Sequence, residues 1–155
     1  MNNKETSHKP KGTTDQEIDT SNSEIKEAVG KIPRNGNPLL SHKFGADPYA
    51  LVYQDSVYIY NTNDVFEYDD NGNLIDNTYG NINKISIISS KDLMNWTDHG
   101  EVQVAGTEGA ATWATQSWAP AAAHKIINGQ DRFFLYFANN ASGIGVLTSD
   151  SPMGP

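Results

Sequence analysis

An all-β fold is expected for most of this 155-residue chain, on three observations. From Asn37 onward, short apolar and aromatic runs alternate with turn residues, the pattern of strands joined by tight turns. An apolar period of 3.6 residues is nowhere sustained, so helices would be incidental. The strand pattern also recurs. Asp47-Pro48, a strand, a polar turn, Tyr58-Ile59-Tyr60 and the run Ile85 to Asp92 are matched by Ala119-Pro120, a strand, Asn128-Gly129, Phe134-Leu135-Tyr136-Phe137 and the run Ile144 to Asp150. The two Pro-containing steps lie 72 residues apart, a spacing that fits one β-propeller blade of four strands with long connections. On the repeat alone, a β-sandwich stays open.

The elements follow in order. Residues 1–34 are rich in Lys, Glu, Asp, Ser, Thr and Asn, a composition that buries too little apolar surface to offset ordering entropy, and they are expected to be a disordered polar leader. Within it, Glu24 to Val29 suits a turn or two of helix after Ser23, which is marginal in isolation. Residues 35–155 are expected to form one domain, with strands at Tyr49 to Tyr53, Ser56 to Asn61, Lys84 to Ser89, Ala119 to Ile126, Arg132 to Ala138 and Gly143 to Thr148. Gln54-Asp55 reads as the first turn, Asp70-Asn71-Gly72-Asn73 as a turn in a longer connection, and Asn128-Gly129 as a two-residue hairpin loop. Asn-Gly tolerates the positive φ angles that such a loop requires. The count comes to about two blades, whereas a closed ring needs four to eight. The chain is therefore expected to be the N-terminal fragment of a longer protein, its propeller incomplete at the C-terminus.

Composition excludes several classes. A net charge of −8 with no Lys/Arg cluster beyond Lys9 to Lys11 argues against nucleic acid or an anionic membrane as partner. Cysteine is absent, and His8, His42, His99 and His124 lack metal-binding spacing, so no metal site is expected from the residues. No apolar run approaches a membrane span and the N-terminus lacks the apolar core of a signal peptide. Taken literally this predicts a cytoplasmic location, or an extracellular one if the N-terminus is incomplete.

The chemistry concentrates in Phe44-Gly45-Ala46-Asp47-Pro48-Tyr49, where a lone carboxylate precedes an aromatic strand. Pro48 is expected to restrict Asp47 to extended backbone, and Gly45-Ala46 to add little bulk, so that the carboxylate can project from the strand edge. Further ordered motifs follow. They are Asn37-Pro38-Leu39, Val57-Tyr58-Ile59-Tyr60, Ile88-Ser89-Ser90-Lys91-Asp92, Asn95-Trp96-Thr97-Asp98-His99-Gly100, Ser117-Trp118-Ala119-Pro120, Phe133-Phe134-Leu135-Tyr136-Phe137-Ala138-Asn139 and Gly143-Ile144-Gly145-Val146-Leu147. The segment that carries them, Asn37 to Pro155, is about three quarters of the chain and resembles the five-bladed β-propeller glycoside hydrolases of family 43. Within the family, the connection from Asp69 to Asn83 and the Phe-Phe-Leu-Tyr-Phe-Ala-Asn strand are most similar to bacterial arabinoxylan arabinofuranohydrolases, with bifunctional xylosidase/arabinofuranosidases close behind.

The resemblance implies an inverting, exo-acting O-glycosyl hydrolase that removes α-L-arabinofuranosyl groups from arabinoxylan. β-Xylosidase and bifunctional activities are the alternatives. It implies Asp47 as the general base that deprotonates water, opposite a carboxylic acid about 6.5–9.5 Å away. The family's pKa-tuning aspartate and acid glutamate lie on later blades, which this chain does not reach. An inactive or merely sugar-binding fragment is thus a further alternative. Trp118 matches a tryptophan lining the sugar pocket, where an indole offers an apolar face and an N–H donor. Trp113 is a weaker candidate for a distal subsite, and Asp64, close after the Tyr60-Asn61-Thr62-Asn63 run, for a cleft-facing substrate contact. Trp96 is expected to pack between blades. Asp92 and Asp98 are expected in blade-edge turns, and Glu101 and Glu108 in a Gly/Ala/Thr-rich connection, all four structural or solvated. No cofactor is required, and a structural calcium is allowed by family analogy with no ligand set named. The implied partner is plant cell-wall polysaccharide or its xylo-oligosaccharides.

Overall fold

In a computed structural model that describes residues 27–28, 38–64, 66–75 and 79–154, strands account for nearly all regular structure. They are β1 (Glu27–Ala28), β2 (Ala46–Tyr53), β3 (Ser56–Thr62), β4 (Glu67–Tyr68), β5 (Leu74–Ile75), β6 (Lys84–Ser90), β7 (Trp96–Gln103), β8 (Trp118–Ile127), β9 (Gln130–Ala138) and β10 (Ile144–Ser149), with a 3-10 turn at Tyr79–Asn81. Two open sheets carry the fold, in strand orders β1-β7-β6-β3-β2 and β10-β9-β8, and β4-β5 forms a separate hairpin. Strands β2, β3, β6 and β7 are a four-stranded antiparallel meander, the expected first blade. The backbone of Glu27–Ala28 extends it by pairing with Trp96 and Thr97.

Sequence dictates these elements in readable ways. The β8–β9 hairpin turns at Asn128-Gly129, whose φ angles of 52° and 76° are the two positive values that a two-residue type I′ loop needs. Strand β6 runs through the middle of its sheet with Ile85, Ser86, Ile87 and Ile88 all buried, which is why its apolar run barely alternates. Tyr60, Ile85 and Ile87 of the first sheet meet Ala122 and Phe137 of the second, and Val104, Ala105, Ala111 and Ala114 close the core from the connection after β7. Phe137 is 1% exposed, a burial worth about 1.5–3 kcal/mol. Between the sheets, β2 packs against β8. The Tyr53 hydroxyl donates to Asp131 at 2.9 Å, His124 reaches the other Asp131 oxygen at 2.6 Å, and the Tyr53 ring lies 4.8 Å from those of His124 and Phe133. The buried Tyr60 hydroxyl donates to Pro152 O at 2.6 Å, and burial pushes its pKa well up.

The structure departs from expectation at several points. Strand β7 was not expected, because Trp96-Thr97-Asp98-His99-Gly100-Glu101-Val102-Gln103 reads as polar. Asp98 and Glu101 therefore lie on a strand, not in a turn or connection. Asp98 faces inward, 8% exposed, because Lys43 and His42 reach its carboxylate at 2.5 and 2.8 Å and the Gly100 N–H donates to it at 2.9 Å. Burial opposes that charge, yet these donors hold the Asp98 carboxyl below the ordinary range. Glu101 pairs with Lys84 at 2.9 Å on the surface. Asp92 does lie in a turn, where it accepts from the Met94 and Asn95 N–H groups, and Glu108 lies in the connection. The long connection from Asp69 to Asn83 contributes β5 and the 3-10 turn. Of the expected leader, only Glu27–Ala28 is described, and those two residues are extended, not helical. The rest of 1–34 lies outside the described residues.

Candidate active site

Asp47 stands on a β-bulge at the entry to β2. Ala46 pairs with Thr62 and Tyr49 with Tyr60, so Asp47 and Pro48 together oppose the single residue Asn61. Such an insertion leaves residues outside the ladder and re-aims their side chains. Pro48 fits there because it has no N–H to lose from the ladder. The extended backbone expected of Asp47 is not found: its φ is 51°, in the left-handed region that Asp enters more readily than most residues. Gly45 has its own reason, since a Cβ there would come 2.8 Å from Asn61 Cβ. The preceding His42 and Lys43, through Asp98, tie the entering chain to β7.

The same bulge recurs at the entry to β8. Trp118 pairs with Ala138 and Ala121 with Tyr136, so Ala119 and Pro120 oppose Phe137, and Ala119 has φ 45°. Thr62 joins the two bulges. Its hydroxyl donates to Asp47 Oδ2 at 3.1 Å and accepts from the Ala119 N–H at 2.8 Å. Asp47 is exposed and Thr62 is buried, so a fixed hydroxyl lies beneath an open carboxylate. Asp64 is near enough for Asp47 to act on it: burial first, and then the Asp47 charge, push the Asp64 carboxyl up. Asp64 lines a cleft of about 450 Å³ with His42, Lys43, Phe44, Asn63 and Phe66.

Trp118, beside Ala119, is partly exposed. Its indole N–H is already donated to Tyr79 O at 3.2 Å, with the Tyr79 ring edge-on at 6.1 Å. The N–H assigned to sugar recognition is thus engaged within the protein, and the apolar ring face remains. Trp113 belongs to another cluster. It is 62% exposed and stacks on Phe137 with ring centres 5.9 Å apart. Trp96 is buried. Among the described residues no three His, Asp or Glu side chains are grouped to hold a metal ion.

Sequence reading missed Thr62 and Tyr79. A signal for Thr62 existed: a tight turn at Gln54-Asp55 that pairs Tyr53 with Ser56 counts back along the hairpin to put Thr62 opposite Asp47, one residue from its observed register. Its second partner, Ala119, lies 57 residues onward, and no local pattern announces it.

Relatives of known kind match most of the chain. An arabinoxylan arabinofuranohydrolase of Paenibacillus polymyxa is 53% identical over 133 residues, which are 82% of this chain and 21% of that protein. An arabinoxylan arabinofuranohydrolase of Bacillus subtilis (strain 168) is 56% identical over 133 residues, 82% of this chain and 26% of that protein. The chain thus spans about a fifth to a quarter of the length of these relatives. The crystal structure of a glycoside hydrolase family 43 arabinoxylan arabinofuranohydrolase from B. subtilis in complex with cellotetraose superposes with a TM-score of 0.76 at 54% identity, covering 81% of this chain and 27% of that one. Residues 35–155 match the model of the glycosyl hydrolases family 43, and with that superposition beside it, the chain belongs to this family.

Proposed function

We propose that the complete protein carrying this chain is an inverting, exo-acting glycoside hydrolase that removes α-L-arabinofuranosyl groups from arabinoxylan, with Asp47 as its general base. The observation that carries this reading is the exposed Asp47 carboxylate, set outside the β2 ladder by a bulge and held at Oδ2 by Thr62. The names and closeness of the bacterial relatives support the substrate class. In the reaction, ionised Asp47 takes a proton from a water that attacks the anomeric carbon from the face opposite the leaving oxygen, so configuration inverts. A carboxylic acid about 6.5–9.5 Å away protonates that oxygen. Trp118 packs its ring face on the C–H face of the arabinofuranose, and its N–H, committed to Tyr79 O, fixes the ring's angle. Asp64 accepts from a sugar hydroxyl at the cleft it lines. Trp113 contacts the polysaccharide at a more distant subsite.

Asp47→Asn in the complete protein tests the base. Asn tolerates the same left-handed backbone, so the fold should persist while turnover of an aryl α-L-arabinofuranoside falls by about 10²–10⁴-fold, the usual worth of general-base catalysis. Undiminished turnover sinks the assignment. Proton NMR of the first-formed sugar should show the β anomer, and hydrolysis confined to xyloside reporters would replace arabinose by xylose as the sugar removed.

A further inference from the structure

We propose that Thr62 is a positioning residue for Asp47: its hydroxyl, held by the Ala119 N–H, fixes Oδ2 and leaves Oδ1 as the oxygen that receives the proton of the attacking water. This rests on Asp47 being the general base.

The polarity of the arrangement is forced. A backbone N–H can only donate, so the Thr62 oxygen must accept from Ala119. A hydroxyl has one hydrogen, and here it is left for Asp47 Oδ2, which in the ionised state can only accept. The hydroxyl is also immobile. Thr62 is 3% exposed, and a β-branched side chain has few χ1 choices. The bulge in β8 takes Ala119 out of the ladder, so its N–H needs another partner, and Thr62 supplies it. One side chain on β3 thereby satisfies the second sheet's bulge and orients the carboxylate on the first sheet's bulge.

The repeat contains its own control. In the second bulge Ala138 occupies the register position of Thr62, since Trp118 pairs with Ala138 as Ala46 pairs with Thr62. Ala119 there occupies the position of Asp47. Where no carboxylate needs orienting, the hydroxyl is absent as well.

The test is steady-state kinetics of the complete protein on an aryl α-L-arabinofuranoside, with thermal unfolding in parallel, for T62V, T62S, T62C and D47N. Valine keeps the shape and removes the hydroxyl, serine restores it, and cysteine offers a weaker donor should the valine variant fail to fold. A misplaced catalytic group costs up to about a hundredfold, so T62V should lower kcat roughly tenfold to a hundredfold, with KM within about threefold. T62S should stay within about threefold of the parent in kcat, and T62C should fall between. The role is overturned if T62V or T62C retains parental kcat, if T62S falls as low as T62V, or if the loss lies in KM alone. Failure of the underlying reading looks different. An active D47N removes Asp47 as base, whereas an inactive D47N beside a fully active T62V removes only the positioning role.

Discussion

At the scale of single residues, the buried Thr62 and Asp98 are satisfied by partners remote in sequence, and this decided what could be read in advance. Asp47 was legible because Gly45-Ala46-Asp47-Pro48 is contiguous, although its backbone was not: pre-proline sterics favour extended geometry, and the bulge overrode them. Asp98 was misplaced for the same reason in reverse. Its inward carboxylate looks like a surface turn until Lys43 and His42, 55 and 56 residues earlier, are brought to it. Asp98→Asn should destabilise the protein by ~1–3 kcal/mol at neutral pH, because it takes a charged acceptor from Lys43. The sign with pH is fixed by the lowered carboxyl. Its contribution is complete above the unfolded-state pKa of about 4 and is lost as pH falls through the folded-state value. Denaturant midpoints of parent and variant should therefore differ at pH 7 and converge toward pH 2; a constant gap would show that Asp98 acts by packing alone.

At the scale of elements, strands with alternating or continuous apolar runs were readable to within three residues at each end, and the Asn128-Gly129 loop was readable to the residue. Strand β7 escaped because its inward positions include Asp98, so its hydrophobic pattern is broken by a residue that packs as an ion pair. The short β4–β5 hairpin escaped because two-residue strands carry no periodicity. Strand β10 shows how closely elements are fitted. A Cβ on Gly145 would lie 2.3 Å from the Phe137 ring and 2.7 Å from that of Trp113, and Phe137 is core. Gly145→Ala should destabilise by roughly 1–3 kcal/mol through overpacking and lift Trp113 off Phe137. Thermal unfolding would read the first effect and tryptophan emission the second. An unchanged melting temperature would mean that the β9–β10 pair yields freely.

At the scale of the whole molecule, the repeat of 72 residues proved to be a repeat of backbone geometry: two sheets, each entered through an X-Pro bulge, lean on one another along β2 and β8. The site is a property of that contact, and sequence could supply its parts but not the Thr62 bridge. The same architecture leaves faces uncovered. Strand β10 is the edge of its sheet; its Ile144 is 77% and its Val146 46% exposed, with Tyr136 paired across from Val146. Val52 on the other sheet is 70% exposed. An unpaired strand edge beside exposed β-branched side chains is a template for association. The 155-residue chain produced by itself should thus run above its 17.0 kDa mass in size-exclusion chromatography with light scattering. Val146→Lys, which puts a charge on that face without touching the Asp47 group, should shift it toward monomer. A monodisperse monomer for the parent chain would show that these faces are tolerated by water and need no covering.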